Sequence, residues 1–167
     1  ANIGTIGLFF RNIYASQYWG KKFQIANFDV AEEYIDEKGN LEPGDVVSLT
    51  DTSLGIERAT ASSSASILGI ISTNPAVVLG DWEGRSNPST SSGQATKPVA
   101  LSGRVPVKVS NENGEVRVGD HLTLSKTLPG YAMRASEAGM TIGIALEAFD
   151  AKSSEASSEG GKQTQTG

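Results

Sequence analysis

An internal duplication is the feature that most constrains how this sequence can fold. A shift of 75 residues places residues 36–50 on residues 111–125, including the Gly-Asp dipeptide that both segments contain. After a one-residue deletion, residues 67–71 match residues 141–145. Two copies of one sequence unit are expected to adopt the same local structure. The chain is therefore predicted to contain two similar units with an offset of about 75 residues.

Each unit has the pattern of short strands joined by tight turns. In the second unit Val105, Val107 and Val109 alternate with polar residues or proline, which is the period of a half-buried strand. Asn113-Gly114 is a strong hairpin signal, and Pro129-Gly130 is typical of a tight turn. These patterns predict an all-β fold in which two β-rich lobes form a sandwich or barrel-like domain with an extended N-terminal arm.

Composition divides the chain further. Residues 81–99 are rich in Gly, Pro, Ser and Asn, and the stretch from Asp150 onward has no apolar residue larger than Ala. Such a tail cannot bury enough surface to offset the entropy of ordering it. The predicted segments are an extended arm or oligomerisation strand at 1–28, a first β lobe at 29–80, a loop at 81–99, a second β lobe at 100–149 and a flexible tail at 150–167.

Composition also excludes several kinds of function. The net charge is −5, and no run of Lys or Arg could track a phosphate backbone, so we expect no nucleic-acid partner. The absence of cysteine excludes disulfides, zinc-thiolate sites and thiol nucleophiles. The apolar run Ile6–Phe10 is too short to span a bilayer. We predict no metal site, no cofactor and no membrane insertion.

The N-terminal arm carries most of the aromatic residues, because residues 1–28 hold seven of the eleven in the chain. Exposed on an isolated subunit, they would be an aggregation hazard. They could pack on their own lobe, or they could cross to a neighbouring molecule and add a strand there. We prefer the second interpretation. The predicted oligomer interface consists of Leu8, Phe9, Phe10, Tyr14, Tyr18, Trp19 and Phe23.

The matched residues Asp45 and Asp120 each follow a glycine at the start of a predicted strand. They could be metal-binding or catalytic carboxylates, but a turn capped by Asp explains both positions, and we favour that interpretation. His121 is the single histidine and is predicted to be an exposed strand residue. No Ser-His-Asp arrangement can be argued from these positions.

Glu32 is the acidic residue with the least ordinary position. It corresponds to Val107 in the second lobe, so a conserved strand register would point it toward the core. An inward carboxylate needs a partner or a raised pKa. We expect Glu32 to pair with Lys21, Lys22 or Arg104, or to lie at an open edge of its lobe.

Four segments carry a resemblance to a known family: residues 28–34, 41–47, 67–78 and 103–109. Together they resemble the C-terminal domains of phage tail-fibre and neck-appendage proteins, the G2-type intramolecular-chaperone autoproteolytic domain. Similar modules occur in bacterial surface-fibre proteins. The resemblance extends over about residues 27–149. It implies an extracellular, cell-surface or virion location and self-association as a trimer or filament.

The same resemblance implies a carboxylate pair that cuts the chain itself. The matching positions are Asp29, Glu32 and Glu33. Paired carboxylates can do this work when one of them keeps its proton. A weaker resemblance is to phage capsid-decoration proteins.

The function predicted from the sequence is that of a structural subunit or module of an extracellular fibre or phage-like appendage, which self-assembles through its arm. Its loops are left available for contact with a cell surface or glycan. Two alternatives remain open, an autoproteolytic chaperone domain and a capsid-decoration-like protein. Enzymatic activity is not expected beyond self-cleavage of the carboxylate type.

Overall fold

A computed structural model describes residues 28–51, 55–79 and 95–150, and these ranges contain β-strands, one 3₁₀ helix and no α-helix. The predicted all-β class is confirmed. The 3₁₀ helix spans Ala61–Ser66. The strands are β1 (Asp29–Asp36), β2 (Val46–Leu49), β3 (Gly55–Arg58), β4 (Ile67–Ile71), β5 (Val77–Leu79), β6 (Thr96–Gly103), β7 (His121–Leu124), β8 (Ala132–Arg134) and β9 (Gly143–Ile144).

The first six strands form a closed barrel with one added strand. Their order in the sheet is β3-β2-β4-β6-β1-β5, and β1 also pairs with β3, which closes five of the strands on themselves. The N-terminal half of β1 pairs with β5 and its C-terminal end with β3, both in parallel. Closure leaves little free edge, which protects such a sheet from pairing with other chains. The barrel interior is filled by Tyr34, Leu41, Val47, Ile56, Ile71 and Val99, with Leu68 against them.

The second lobe forms a three-stranded antiparallel sheet in the order β8-β7-β9. Its core is continuous with the outer face of the barrel, because Val46 and Ala59 of the first lobe belong to the same buried cluster. The two lobes therefore share one hydrophobic core. The second-lobe residues of this cluster are Val116, Leu122, Leu124, Ala132 and Ala145, with Val107, Val109, Ile142 and Phe149 packed against them.

The duplication seen in the sequence is also a duplication of hydrogen bonds. Strands β2, β3 and β4 correspond to β7, β8 and β9, and in each set the first of the three strands lies between the other two. The N–H of Gly44 donates to the carbonyl of Ile71 at 2.9 Å, and that of Gly119 donates to Ala145 at 2.8 Å. Both glycines have positive φ, which a residue with a Cβ rarely adopts. The repeated Gly-Asp dipeptide thus encodes the same turn twice.

The predicted loop at 81–99 is too long at its C-terminal end. Residues 96–99 form the first half of β6, and residues 100–103, assigned to the second lobe, complete this strand of the barrel. The Lys97-Pro98 dipeptide indicates a turn locally, but the fixed φ of proline is also compatible with an extended chain. Residues 1–27, 80–94 and 151–167, to which most of the arm, loop and tail predictions apply, lie outside the described ranges.

Close packing of β4 against β6 depends on Gly69. A Cβ atom at this position would lie 2.3 Å from the carbonyl oxygen of Ala100 and 2.8 Å from a methyl group of Val99. Real Cβ contacts are never so short, so the two strands could not keep their present separation around a larger residue. The glycine is required by packing rather than by its φ angle.

We predict that Gly69→Ala lowers the thermal midpoint of unfolding, because the added methyl group forces β6 away from β4. Overpacking of this kind costs about 1–3 kcal/mol. The control is Gly139→Ala, since no described atom lies within 4 Å of a Cβ built at Gly139. Thermal unfolding followed by circular dichroism compares the two variants, and equal midpoints would contradict the packing argument.

Candidate functional site

The most strongly charged buried feature lies where the two lobes meet. Asp45 is fully buried in the turn before β2, and its Oδ2 accepts hydrogen bonds from Arg58 Nε at 2.8 Å and from the N–H of Glu42 at 2.9 Å. Lys108 of the second lobe places its Nζ 2.7 Å from Asp45 Oδ1. A buried carboxylate is stable only when it is paired in this way. Asp45 therefore joins one lobe to the other.

Neighbouring groups extend this cluster toward the surface. Lys108 Nζ also lies 2.6 Å from Glu42 Oε2, and Arg58 donates a hydrogen bond to the carbonyl of Asn40 at 2.5 Å. Burial acts to lower the pKa of Lys108, but its bonds to Asp45 and Glu42 outweigh this and raise it. The hydrogen bond and positive charge of Lys108 lower the pKa of Glu42. These shifts keep the ion pairs charged, which suits a structural clamp rather than proton transfer.

The turn-capping role predicted for Asp45 and Asp120 is seen at both positions. Asp120 Oδ2 accepts a hydrogen bond from the N–H of Arg117 at 2.8 Å, as Asp45 does from Glu42. Asp120, however, is partly exposed. The sequence pattern identified the shared turn. It did not identify Arg58 and Lys108 as the partners of Asp45, because both lie far from it along the chain.

The three carboxylates suggested for self-cleavage lie on β1. Asp29 is buried and accepts a hydrogen bond from Ser72 Oγ at 2.6 Å. Glu32 stands opposite Val99 in the barrel and accepts a hydrogen bond from Tyr34 Oη at 3.0 Å. The inward direction predicted for Glu32 is thus observed, with Tyr34 as the partner in place of the basic residues expected. Burial, and then the contact with Glu32, raise the pKa of Tyr34.

The geometry of β1 separates these carboxylates. Successive side chains of a strand point to opposite faces, so Glu32 lies on one face and Asp29 and Glu33 on the other. Asp29 and Glu33 are four residues apart, which is about 13 Å along a strand. Glu33 has a buried Oε2 atom without a hydrogen-bond partner among the described residues. The strand does not assemble two of these groups into an adjacent pair, and their catalytic role stays a prediction.

Glu112 holds the hairpin that follows β7. Its Oε2 accepts hydrogen bonds from Ser125 Oγ and Thr127 Oγ1, both at 2.6 Å, and its Oε1 accepts one from the N–H of Lys126 at 2.8 Å. Partial burial acts to raise the pKa of Glu112, but these bonds outweigh it and lower the pKa to about 2. No local sequence pattern indicated this residue, because its partners lie 13 to 15 residues further along the chain.

A largely apolar groove of about 680 Å³ runs along the second lobe. One wall is the segment from Gly103 to Val109, and the other is the segment from Ile142 to Phe149. Val116 and Leu122 contribute to its lining, and Phe28 lies at one end. Its residues are aliphatic or aromatic with few charges, so it suits an apolar segment better than a polar metabolite.

The remaining candidate residues are not assembled into a site in the described part of the chain. His121 lies exposed on β7, as predicted. Within the described ranges, no group of three or more His, Asp or Glu side chains could hold a metal ion. No helix of those ranges has the length and apolar character needed to cross a bilayer. The predicted interface residues of the arm, from Leu8 to Phe23, lie outside the described residues.

Comparison with known proteins gave no relative of this chain. No family model matches it, and neither the curated proteins nor the solved structures contain a significant match. The function of this chain is therefore inferred from its own residues and their geometry.

We predict that Asp45→Ala destabilises the fold much more than Asp120→Ala. The first change leaves Arg58 and Lys108 without their buried partner, and breaking a buried ion pair costs about 3–5 kcal/mol. The second removes one turn hydrogen bond, worth about 1 kcal/mol. Urea unfolding of the two variants measures the difference. Equal losses would show that the turn matters and that the ion pairs do not.

We predict that Glu112 contributes to the acid stability of the fold. Its pKa is lowered from 4.5 to about 2, so its contribution is fully present above pH 4.5 and is lost as the pH falls through 2. Glu112→Gln should lower stability at pH 7 by about 1 kcal/mol and flatten the pH dependence in this window. The control is Glu115→Gln, which removes only an exposed ion pair with Arg117. Urea midpoints measured from pH 7 to pH 2 test this, and parallel curves for Glu112→Gln and the unmodified chain would contradict it.

Proposed function

We propose that this chain is a structural subunit or module of an extracellular, fibre-like or phage-like surface appendage, and that it self-assembles through its N-terminal arm. The observation that carries the proposal is the contrast between the two parts of the chain. The described residues between Asp29 and Asp150 form a duplicated β body, whereas residues 1–28 concentrate the aromatic side chains. Strand addition requires an extended apolar segment and an open sheet edge, and the three-stranded sheet of the second lobe has β8 and β9 as its edge strands.

The charged groups of the body support a structural role. Asp45 and Glu42 balance the charges of Arg58 and Lys108, and the carboxylate of Glu112 accepts hydrogen bonds from hydroxyl and amide groups. Groups held in this way stabilise a fold and are not free to transfer protons to a substrate. Perturbed pKa values alone do not distinguish an active site from an ion-pair network. Here the partners favour the second interpretation.

The surface of the second lobe also favours assembly. Several large apolar side chains are more than half exposed there, and two of them, Ile144 and Leu146, line the groove of the second lobe. Apolar surface of this kind commonly marks a protein–protein contact. These residues are Val118, Met140, Ile144 and Leu146.

An autoproteolytic chaperone domain is the rival proposal. It draws support from Glu33, whose Oε2 atom is buried without a hydrogen-bond partner among the described residues. Buried polar atoms without a partner are few in native proteins, and a catalytic role is one explanation for them. A capsid-decoration-like protein remains a further alternative, which preserves the same surface-assembly role.

The assembly proposal predicts that the chain is a homo-oligomer in solution and that the combined substitution of Leu8, Phe9 and Phe10 by Ser converts it to a monomer. The reason is that these residues supply apolar area that the contact would bury. Light scattering of the full chain measures the mass before and after the change. Leu128→Ser, which alters an exposed leucine of the body, is the matched control and should leave the mass unchanged.

A monomer both before and after substitution would remove the proposal. Intact-mass measurement of the same samples tests the rival. A single full-length species is expected, and a chain that cuts itself and stops doing so after Glu32→Gln would establish autoproteolysis in its place.

A further inference from the structure

The two lobes contain the same strands but are not closed in the same way. In the first lobe β6 lies between β4 and β1 and pairs with both. The counterparts of β4 and β1 in the second lobe are β9 and residues 104–111. Among the described residues no strand lies between these two counterparts. The groove of about 680 Å³ lies there, since its walls are residues 103–109 and 142–149.

The hydrophobic cores of the two lobes differ in the same way, because nothing in the described second lobe corresponds to β6. Every barrel-core residue except one has a counterpart in the core of the second lobe. The exception is Val99, which belongs to β6. In order along the chain, the barrel residues Tyr34, Leu41, Val47, Ile56, Leu68 and Ile71 correspond to Val109, Val116, Leu122, Ala132, Ile142 and Ala145. Ile56 and Ala132 are matched by strand pairing, because they lie opposite the equivalent residues Leu49 and Leu124.

A matched pair of glycines, Gly69 and Gly143, also indicates that the described second lobe lacks a strand equivalent to β6. Gly69 makes room for β6, because its Cβ would lie 2.3 Å from the carbonyl oxygen of Ala100. Its counterpart is Gly143, which stands opposite Leu122 as Gly69 stands opposite Val47. No described atom lies within 4 Å of a Cβ built at Gly143. The second lobe thus has a glycine that admits a strand, with no described strand against it.

The chain enters the groove at Phe28. Asp29 pairs with Gly103 at the end of the β1–β6 ladder, and the N–H of Arg104 donates to the carbonyl of Phe28 at 3.1 Å. The Arg104 guanidinium lies 3.9 Å from the centre of the Phe28 ring. The antiparallel ladder therefore continues past its last barrel pair. A further extension of this ladder would follow the wall formed by residues 104–109.

The sequence repeat supplies the missing strand. The offset of 75 that relates the two lobes places β6, residues 96–103, on residues 21–28. We propose that residues 21–27 form a strand in the groove of their own chain, antiparallel to residues 105–111. Each lobe then receives the first strand of the other. A straight extension of the ladder puts Ile25 opposite Val107 and Phe23 opposite Val109, so that both apolar side chains face the core. A copy of the irregularity that the ladder has between Val30 and Ala31 would put Gln24 and Lys22 at these places instead, and the test below covers both registers.

The same chain is the preferred donor because residue 27 is bonded directly to Phe28, which already lies at the groove. A segment tethered at the site has an effective concentration of about millimolar or higher, whereas a donor from another molecule has only its bulk concentration. This strand takes Phe23 out of the predicted oligomer interface and leaves residues 1–20 for it. It does not require the oligomer proposed above, since a monomer can close its own groove.

Disulfide trapping tests the assignment in the full chain, which has no cysteine of its own. Ile144→Cys is combined in turn with Gln24→Cys, Ile25→Cys or Ala26→Cys, because a register shift of one residue changes which position lies opposite. Opposed strand residues are close enough for a disulfide. Leu128→Cys, on an exposed turn of the second lobe, replaces Ile144→Cys in the matched controls.

We expect at least one of the three Ile144 pairs to form an intrachain disulfide in most molecules, and the Leu128 pairs to form none. Non-reducing electrophoresis and peptide mass spectrometry identify the products. Interchain disulfides in place of intrachain ones would overturn the same-chain assignment and show strand exchange between molecules. No disulfide with any of the three positions would overturn the docking itself.

A second measurement does not depend on cysteine variants folding. Gly143→Val should lower the thermal midpoint clearly if a strand fills the groove, as the larger side chain would collide with it. Gly139→Val is the control at an open position. If the groove holds no strand, valine in β9 has room and a favourable strand propensity, so an unchanged or raised midpoint for Gly143→Val would overturn the proposal.

Discussion

The antiparallel pairing of β6 with β1 and β4 is the contact on which the rest of the structure depends. Without it the barrel remains open, and the row of hydrogen-bonding groups on both neighbours is left unpaired. The partner strands lie far apart in the chain, so their pairing costs loop-closure entropy before any contact is gained. Burial of Val99 among the barrel residues offsets that cost. The first lobe therefore cannot close from its own residues, 29–80, alone.

The buried carboxylate of Asp45 also makes the first lobe depend on the second. Asp45 belongs to the first lobe and Lys108 to the second, and the carboxylate is removed from water only because both Lys108 and Arg58 reach it. Separation of the lobes would leave a carboxylate deprived of one of its partners. The shared apolar core acts in the same direction, since Val46 and Ala59 are buried by residues of the second sheet. The two lobes are thus one cooperative unit, although the sequence repeats.

The proposed structural role is supported by the hydrogen bonds that already occupy the buried carboxylates of the described residues. In the described residues, the buried carboxylates of Asp29, Asp36 and Asp45 accept hydrogen bonds from serine, backbone or basic groups. What the body leaves unused is apolar: a groove and several exposed side chains on the second lobe. Apolar surface of this kind, in a chain whose first 28 residues are rich in aromatic side chains, is suited to association between strands. It is poorly suited to binding and transforming a polar substrate.

Structural features that depend only on neighbouring residues could be predicted from the sequence. The all-β class, the duplication, the two Gly-Asp turns and the exposed position of His121 followed from short patterns, because side-chain alternation and turn conformations are local properties. The inward direction of Glu32 followed from comparing the two copies. Two features became apparent only in the folded protein: residues 96–99 belong to a barrel strand, and Lys108 and Arg58 pair with Asp45. These are contacts between elements distant in the chain, and they depend on how strands are ordered in a sheet, which no local pattern of residues specifies.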